Sequence, residues 1–291
     1  MKGCIAKNKP SLTLLIRDDD ICHATPIWML ELLRDQIWRY RPVNLSVIPY
    51  TQPGMFLKAP MAWTDAKPEF AWNNPALTDH LASLRRADLL GLSMHGWTHH
   101  SPRLEGEAHE FSGVNEHLLE RVVAGFEWFD STVGYRMFVP PHNEIHAQAE
   151  QYFLERQVSV CRSLRDEEVS SLAASQASPV SRTDAKRILS RVPDKWPLTL
   201  YQSLIINKEK LRAGTSSACD LCTEVIASSS EHGLAVVTFH WWDFFQQDGK
   251  PDLLFIRFIQ QFFTILEDSV TIRYLHYGHL ADALQAQHQM E

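Results

Sequence analysis

The segment Leu92–Pro102, LSMHGWTHHSP, places three histidines within six residues directly after an apolar run. His95 and His99 are four residues apart, and imidazoles are common ligands of transition-metal ions. We interpret these two side chains as metal ligands, although a lone histidine is more often a core or surface residue with ordinary hydrogen bonds. We expect His100 to face away or to line a pocket.

Three further polar clusters follow apolar segments of the kind that form buried strands. Asp18–Asp20 follow LTLLI, Pro140–Asn143 follow YRMFV, and His240 ends LAVVTFH with Asp243 close behind. The aspartates could simply cap a helix, but adjacent carboxylates repel one another unless a cation or a proton compensates. The proline pair could be a rigid turn, and His240 could be packed among its aromatic neighbours. Four such clusters nevertheless indicate one site, because a parallel barrel collects its functional residues at the carboxyl ends of its strands.

The residue types point to hydrolysis. Two neutral imidazoles and one carboxylate form a three-ligand metal site with open positions, which is the arrangement of catalytic rather than structural zinc. Such an ion polarises a carbonyl and lowers the pKa of its bound water. A second carboxylate can then accept a proton, and a histidine on the opposite side can protonate the leaving group. These are the parts needed to hydrolyse an amide or an ester.

The elements that would position this chemistry alternate between strands and helices. Such alternation predicts a mostly parallel sheet, and at 291 residues a (β/α) barrel is the leading arrangement. The whole chain, residues 1–291, is expected to form one domain with its core over about residues 12–284. The predicted strands are Leu12–Ile16, Val43–Tyr50, Leu89–Met94, Tyr135–Val139, Val158–Leu164, Thr199–Ile206, Leu234–His240 and Val270–Leu275.

Helical periodicity and loop composition complete this outline. Apolar residues recur at helical spacing in four early segments, and a long loop rich in proline and tryptophan, Thr51–Asn74, suggests a lid or a wall around a site. Ser170–Ser190 is expected to be irregular. The predicted helices are Pro26–Tyr40, Leu77–Ala87, Asn115–Asp130 and Ala147–Gln157.

Composition excludes several classes of protein. A formal net charge of −7 without a dense basic run argues against nucleic-acid binding. No apolar run approaches the length of a membrane span. Five scattered cysteines do not form a disulfide framework, and the Cys219–Cys222 pair is expected to be two thiols one helical turn apart. The N-terminal segment lacks a long apolar stretch and a small-residue cleavage site, so we expect a cytoplasmic location.

Taken together, these motifs resemble those of the polysaccharide deacetylases. IRDDDI resembles the first motif of that family, HGWTH the second, FVPPHN the third and TFH the fourth, in the family's order over roughly Leu12–Leu284. The Arg-Asp-Asp-Asp opening and HEFSG (His109–Gly113) resemble a poorly characterised bacterial branch. The resemblance implies a distorted (β/α) barrel of seven to eight mostly parallel strands. It also implies metal-dependent removal of N- or O-acetyl groups from sugars.

The resemblance assigns roles to individual residues. His95 and His99 would be metal ligands, and the family order of base first and ligand second makes Asp19 the base and Asp20 the third ligand. Sliding the pair by one residue to Asp18 and Asp19 stays open. His240 would be the general acid. One divalent ion is implied, with zinc first and cobalt, nickel or iron as alternatives.

Two departures from the family pattern leave the tuning of the base and the substrate open. The arginine that usually precedes the proline pair is replaced by Val139, and strand alternation makes Arg136 a poor substitute because it faces the opposite side. Arg17 or Arg165 could serve instead, and Asp243 is a further alternate for a carboxylate role. The expected substrate contacts, including a histidine where the family has an aromatic residue, are Pro140, Pro141, His142, Asn143, Trp97 and Trp242.

The expected substrate is a small molecule or an oligosaccharide, such as an acetylated sugar precursor, a nucleotide- or lipid-linked saccharide, or another small amide. Two rival functions stay open. One is another metal-dependent hydrolase of C–N or phosphoester bonds, for which about two metal ions per chain are expected. The other is an inactive carbohydrate-binding homologue, in which tryptophans stack on sugar rings. The sequence leaves the oligomeric state open. The tryptophans considered are Trp63, Trp72, Trp97, Trp241 and Trp242.

Overall fold

The computed structural model of the protein describes seven segments of the chain. They are residues 9–52, 67–99, 109–163, 199–200, 203–214, 216–232 and 234–288. Trp63, His100, Arg165 and the predicted irregular region Ser170–Ser190 lie outside these segments.

The described part of the chain forms twelve strands, eight of which make up the central sheet. The strands are β1 (Ser11–Ile21), β2 (Val43–Val47), β3 (Tyr50–Thr51), β4 (Glu69–Phe70), β5 (Leu90–Met94), β6 (Met137–Phe138), β7 (Ser159–Val160), β8 (Arg162–Ser163), β9 (Thr199–Leu200), β10 (Ser203–Ile205), β11 (Ala235–His240) and β12 (Thr271–Leu275). Seven strands follow the order β10-β11-β1-β2-β5-β6-β7, and β12 pairs with β1. Every one of these pairings is parallel.

A short parallel pair connects the two outer strands of this sheet. β8 follows β7 after Cys161, β9 precedes β10 by two residues, and β8 pairs with β9. The sheet therefore curls into a distorted (β/α) barrel of seven to eight mostly parallel strands, which confirms the fold expected from the sequence. β3 and β4 form a separate antiparallel pair, so the ends of the predicted loop Thr51–Asn74 are paired rather than irregular.

β1 is the longest strand and organises the barrel. β11 pairs with one edge of β1. Along the other edge, β12 pairs with the first part of β1 and β2 pairs with the second part. Asn44 fills the junction between these two, because its amide donates to the Ile16 carbonyl and its oxygen accepts the Tyr277 N–H. Gly91 packs against this junction, and a Cβ there would overlap the Asn44 side chain and the Tyr277 backbone.

The helices begin where the sequence supplies amide or carboxylate caps. Asn74, Asn115 and Asp252 each accept the backbone N–H three residues on, which satisfies a donor that the first helical turn leaves free. The predicted helix Pro26–Tyr40 is α-helical only at first and continues as a π-helix over Arg34–Trp38. In the described segments the α-helices are α1 (Ile27–Leu33), α2 (Pro75–Arg86), α3 (Glu116–Val133), α4 (Ala147–Leu154), α5 (Lys208–Arg212), α6 (Ala218–His232), α7 (Leu253–Ser269) and α8 (Tyr277–His288).

Strand alternation separates two apolar layers. On β1, Leu14 and Ile16 belong to the large core that includes the helices, whereas Leu15 belongs to a smaller cluster inside the barrel. Because successive side chains of a strand point to opposite faces, Arg17 and Asp19 share the interior face with Leu15. The interior is thus apolar at one end and charged toward the carboxyl ends of the strands. The other buried members of the interior cluster are Met137, Val139, Cys161, Leu234, Val236, Leu275, Tyr277 and Leu280.

The two cysteines of the Cys219–Cys222 pair lie on one helix, as expected. Cys219 and Cys222 lie on α6 as free thiols, the first exposed and the second buried, as the helical-turn interpretation requires. No helix in the described segments is both long and apolar enough to cross a bilayer.

Candidate active site

The carboxyl ends of β1 and β5 bring three potential metal ligands together. The Oδ1 atom of Asp20 lies 3.6 Å from Nε2 of His95 and 3.3 Å from Nε2 of His99. The three ligand atoms all lie within 4.8 Å of one another. The structure therefore brings together the three side chains that the sequence analysis selected as candidate ligands.

The backbone at the end of β1 explains how two adjacent aspartates reach the same site. Asp20 adopts a left-handed φ of 68°, and the pairing of β1 with β2 shifts register between Asp18 and Ile21. This bulge breaks the strict alternation of the strand, so Asp19 and Asp20 both face the site. Asp18 instead shares the face of Ile16 toward the helices and is fully buried. Its alternate role in the site is therefore not supported by its position.

His95 is held in the tautomer that a metal ligand requires. Its Nδ1 lies 2.9 Å from the carbonyl oxygen of Val139, so Nδ1 carries the proton and Nε2 presents its lone pair. Burial lowers the pKa of His95 to about 4, although the nearby Asp19 acts in the opposite direction. The imidazole is therefore neutral at neutral pH and able to ligate.

Asp20 presents one oxygen that the described residues leave without a hydrogen bond. Trp242 Nε1 donates to Oδ2 at 3.1 Å, and Trp241 Nε1 donates to the Asp20 carbonyl at 2.8 Å. Oδ1 is buried and has no hydrogen-bond partner among the described residues. Burial disfavours the charged form, but the imidazoles of His99 and other nearby histidines lower the pKa of Asp20 to about 2. A buried anionic oxygen aimed at two imidazole nitrogens fits a cation.

Asp19 lies beside this group and is paired with Arg17. The guanidinium Nη2 of Arg17 lies 2.8 Å from Asp19 Oδ2, and its Nε donates to the same oxygen at 3.1 Å. Both side chains are almost completely buried. Burial opposes ionisation of Asp19, but the charge of Arg17 and the adjacent His95 hold its pKa below the ordinary value. Asp19 is therefore an anion at neutral pH.

Arg17 is thus the arginine that contacts Asp19 in this structure, where position 139 is a valine. Val139 contributes only its backbone, which accepts from His95 and donates to the Met94 carbonyl. Arg136 pairs with Asp130 at 2.6 Å on the far side of the strand, as the alternation predicted. Arg165 lies outside the described residues.

His240 faces Asp19 across the pairing of β1 with β11. The two residues are Cα partners in the register, and the ring of Trp242 stacks on His240 with centroids 5.0 Å apart. His240 Nδ1 lies 3.8 Å from Oδ2 of Asp243. Burial raises the pKa of Asp243 to about 6, while His240 and Lys208 counteract this. Asp243 is thus a neighbour of the candidate acid and does not belong to the ligand group.

The residues expected to contact substrate have different surroundings. Pro140 and Pro141 are buried, whereas His142 is exposed, and its ring centroid lies 4.9 Å from that of His99. His142 and Asn143 both have a left-handed φ of 57°, and Asn143 accepts a long 3.4 Å hydrogen bond from Arg17. The proline pair therefore starts a tight turn at the mouth of the site.

Trp97 and Trp242, the two tryptophans expected to contact substrate, also make contacts within the protein. Trp242 donates to Asp20, so one of its contacts is with a candidate ligand rather than with solvent. Trp97 is partly buried, packs close to Gly125 of α3 and makes an edge contact with Phe70. Its backbone N–H donates to Glu110, a residue that the sequence analysis did not select. The only sequence signal for Glu110 is its place in the HEFSG segment.

A second group of similar composition does not suit a metal. Asp88, His276 and His279 also place ligand atoms within 4.8 Å of one another. However, Nδ1 of His276 accepts the Gly278 N–H at 3.0 Å, so Nε2 carries the proton and donates to Asp88 at 3.0 Å. Nδ1 of His279 likewise accepts a backbone N–H. Neither Nε2 is therefore available as a lone-pair donor in the neutral form.

Solved structures that are remotely similar to this chain include three with identities of 11–14%. No family model and no curated protein matches the sequence. Among solved structures, the chain is similar to the 4-alpha-glucanotransferase from Thermococcus litoralis at 14% identity and a TM-score of 0.48. That alignment covers 94% of this chain but 40% of that one, so this chain spans less than half of its length.

Two carbohydrate deacetylases or esterases are also similar over most of their length. The Bc1960 peptidoglycan N-acetylglucosamine deacetylase is 11% identical with a TM-score of 0.44, covering 93% of this chain and 92% of that one. The family 4 carbohydrate esterase from Streptomyces lividans, in complex with acetate, is 11% identical with a TM-score of 0.41, covering 90% and 91%. At such low identities and TM-scores, these likenesses do not indicate the function of this chain.

Proposed function

We propose that this protein is a metal-dependent hydrolase that removes an acetyl group from an N- or O-acetylated sugar or saccharide precursor. One observation carries the proposal. An Asp20 oxygen that accepts no hydrogen bond from the described residues and two imidazole nitrogens converge beside a second, arginine-paired carboxylate, with a histidine on the neighbouring strand. This combination supplies ligands, base and acid in one place.

Asp20, His95 and His99 would hold one divalent ion. Neutral nitrogen donors and one carboxylate suit zinc, with cobalt, nickel or iron as alternatives. When bound, such an ion supplies a Lewis acid that polarises the acyl carbonyl and lowers the pKa of the attacking water. The Val139 carbonyl keeps the His95 ring oriented, and Trp242 keeps Oδ1 of Asp20 directed at the imidazoles.

Asp19 would take the proton from the attacking water. The Arg17 guanidinium keeps Asp19 ionised despite its burial, so the carboxylate is ready to accept a proton at neutral pH. Because Arg17 stabilises the anion, it also makes Asp19 a weaker base, which is the usual compromise in general-base catalysis.

His240 would donate a proton to the departing amine or alcohol. It lies opposite Asp19 in the register of β1 and β11, and the stacked Trp242 ring restricts its orientation. Asp243, close to Nδ1, would stabilise the protonated imidazole. The exposed His142 and its neighbours Pro140, Pro141 and Asn143, together with Trp97 and Trp242, would form the surroundings of the sugar.

The test compares metal content and acetate release in wild type and in His95→Ala/His99→Ala. We expect about one ion per chain in the wild type, with both the ion and acetate release from a panel of acetylated amino sugars lost in the variant. His276→Ala/His279→Ala is the matched control, since it removes two histidines from the other group. Metal without acetate release would contradict the deacetylase reaction, and absence of metal from the wild type would contradict the whole site.

The two rival functions receive less support from the geometry. A two-metal phosphoester hydrolase needs a second set of ligands, yet among the described residues the other Asp-His-His group lies in hydrogen-bonding tautomers. An inactive carbohydrate-binding homologue was suggested by Val139, but Arg17 supplies the missing guanidinium contact to Asp19. The hydrolase therefore remains the function that the site supports best.

A further inference from the structure

Glu110 gathers the backbone of the loop that carries His99. Its Oε2 accepts the N–H groups of Trp97 at 3.2 Å and His99 at 3.1 Å. Its Oε1 accepts the N–H and the hydroxyl of Thr98 at 2.9 and 3.0 Å. Three consecutive amides thus converge on one carboxylate, an arrangement in which the aligned N–H dipoles favour an anion.

The loop needs this support because its backbone is not in a relaxed extended or helical form. His99 has a left-handed φ of 53°, a conformation that costs a non-glycine residue free energy. Gly96 has a φ of 70°, and a Cβ there would overlap Glu110 Oε2 and the ring of Pro141. Glycine at 96 therefore lets the carboxylate approach the loop, and the carboxylate in turn fixes the loop.

The two histidines of the site are consequently held by different means. His95 follows β5 directly, and its ring and its backbone are both hydrogen-bonded to neighbouring strand ends. His99 lies beyond the sheet, and its backbone N–H is bonded to Glu110. We propose that Glu110 is a positioning residue that places His99 against Asp20 for metal binding. This inference rests on the metal site of the proposed function.

The test measures the Zn²⁺ dissociation constant by competition with a chromophoric chelator. Glu110→Gln keeps the shape of the side chain but replaces one acceptor oxygen by an NH₂ group that faces N–H donors. We expect Zn²⁺ to bind about 10- to 100-fold more weakly, the usual effect of losing a group that orients a ligand. Glu224→Gln, an exposed position on α6, is the matched control and should bind like the wild type.

A double-mutant cycle separates positioning from general structure. If Glu110 acts through His99, then Glu110→Gln has no further effect on Zn²⁺ affinity once His99→Ala is present. An equal loss in both backgrounds would overturn the positioning role, as would unchanged affinity in Glu110→Gln alone. Wild-type protein that binds no Zn²⁺ would instead refute the proposed function, so the two failures are distinguishable. Thermal unfolding of each metal-free variant verifies that it is folded.

Discussion

The buried pair of Arg17 and Asp19 allows the sharpest test of the proposed chemistry. Replacing Arg17 by methionine removes the positive charge while keeping a side chain of similar length. With charge centres about 4 Å apart and an effective dielectric constant of about 20, the lost attraction is about 4 kcal/mol. Because this attraction helps to hold the pKa of Asp19 below its ordinary value, its loss raises the pKa of Asp19. The carboxylate then stays protonated to a higher pH than in the wild type.

The assay is the pH profile of kcat/KM for acetate release. A general base acts only when deprotonated, so raising its pKa moves the acid limb of the profile to higher pH. We expect Arg17→Met to shift that limb to higher pH by about 2–3 units, so that activity recovers as the pH is raised. Arg136→Met removes a comparable guanidinium from the partly exposed pair with Asp130 and should leave the profile unchanged.

Stability gives an independent readout that does not require substrate. Removing one partner of a buried ion pair costs roughly 3–5 kcal/mol, because the other charge stays buried alone. Adding Asp19→Asn to Arg17→Met should therefore restore much of the free energy of unfolding. An unchanged pH profile, or additive losses of stability in the double variant, would refute the coupling of these two residues.

Three further predictions concern the surroundings of the site. Burial raises the pKa of Asp243 from 3.8 to about 6, because the folded protein favours the neutral carboxyl group. The contribution of Asp243 to stability is therefore fully present below pH 3.8 and is lost as pH rises through 6. In chelator-treated protein, Asp243→Asn should gain up to about 3 kcal/mol over wild type between pH 4 and 7 in urea unfolding, and a pH-independent difference would contradict this. Gly91→Ala should lower the free energy of unfolding by roughly 3 kcal/mol, because the new methyl overlaps the fixed Asn44 amide; a variant as stable as wild type would disprove this packing. His276→Ala/His279→Ala should retain the full metal content in elemental analysis, whereas loss of the ion would show that this group ligates.

Periodicity and order of residues were sufficient to predict the barrel. The apolar runs and the helices between them fix which segments become parallel strands, and parallel strands bring their carboxyl ends to one side of the sheet. This is why the sequence alone places His95, His240 and the aspartates at one site. The prediction that the aspartates follow their strand was wrong, since β1 extends through Ile21.

The roles within the aspartate run could not be predicted in the same way. Alternation alone would send Asp19 and Asp20 to opposite faces. A left-handed φ at Asp20 and a bulge against β2 break this alternation. A run of three identical aspartates does not indicate where either feature occurs. The sequence left the partner of Asp19 open between Arg17 and Arg165, because position 139, where the resemblance places an arginine, is a valine on a different strand; the structure pairs Asp19 with Arg17. Two residues on the same face of one strand, two positions apart, can thus form an ion pair that the family pattern predicts between two different strands.

The two Asp-His-His groups show where composition ceases to be informative. Both bring one carboxylate and two imidazoles within 4.8 Å, so their residue types do not distinguish them. The difference lies in what the backbone offers to Nδ1. A carbonyl oxygen at Val139 requires Nδ1 of His95 to carry the proton, and so leaves Nε2 free for a metal. A backbone N–H beside His276 requires the reverse, and Nε2 donates to Asp88. A metal site is therefore specified by the carbonyl and amide groups around the imidazoles as much as by the imidazoles themselves.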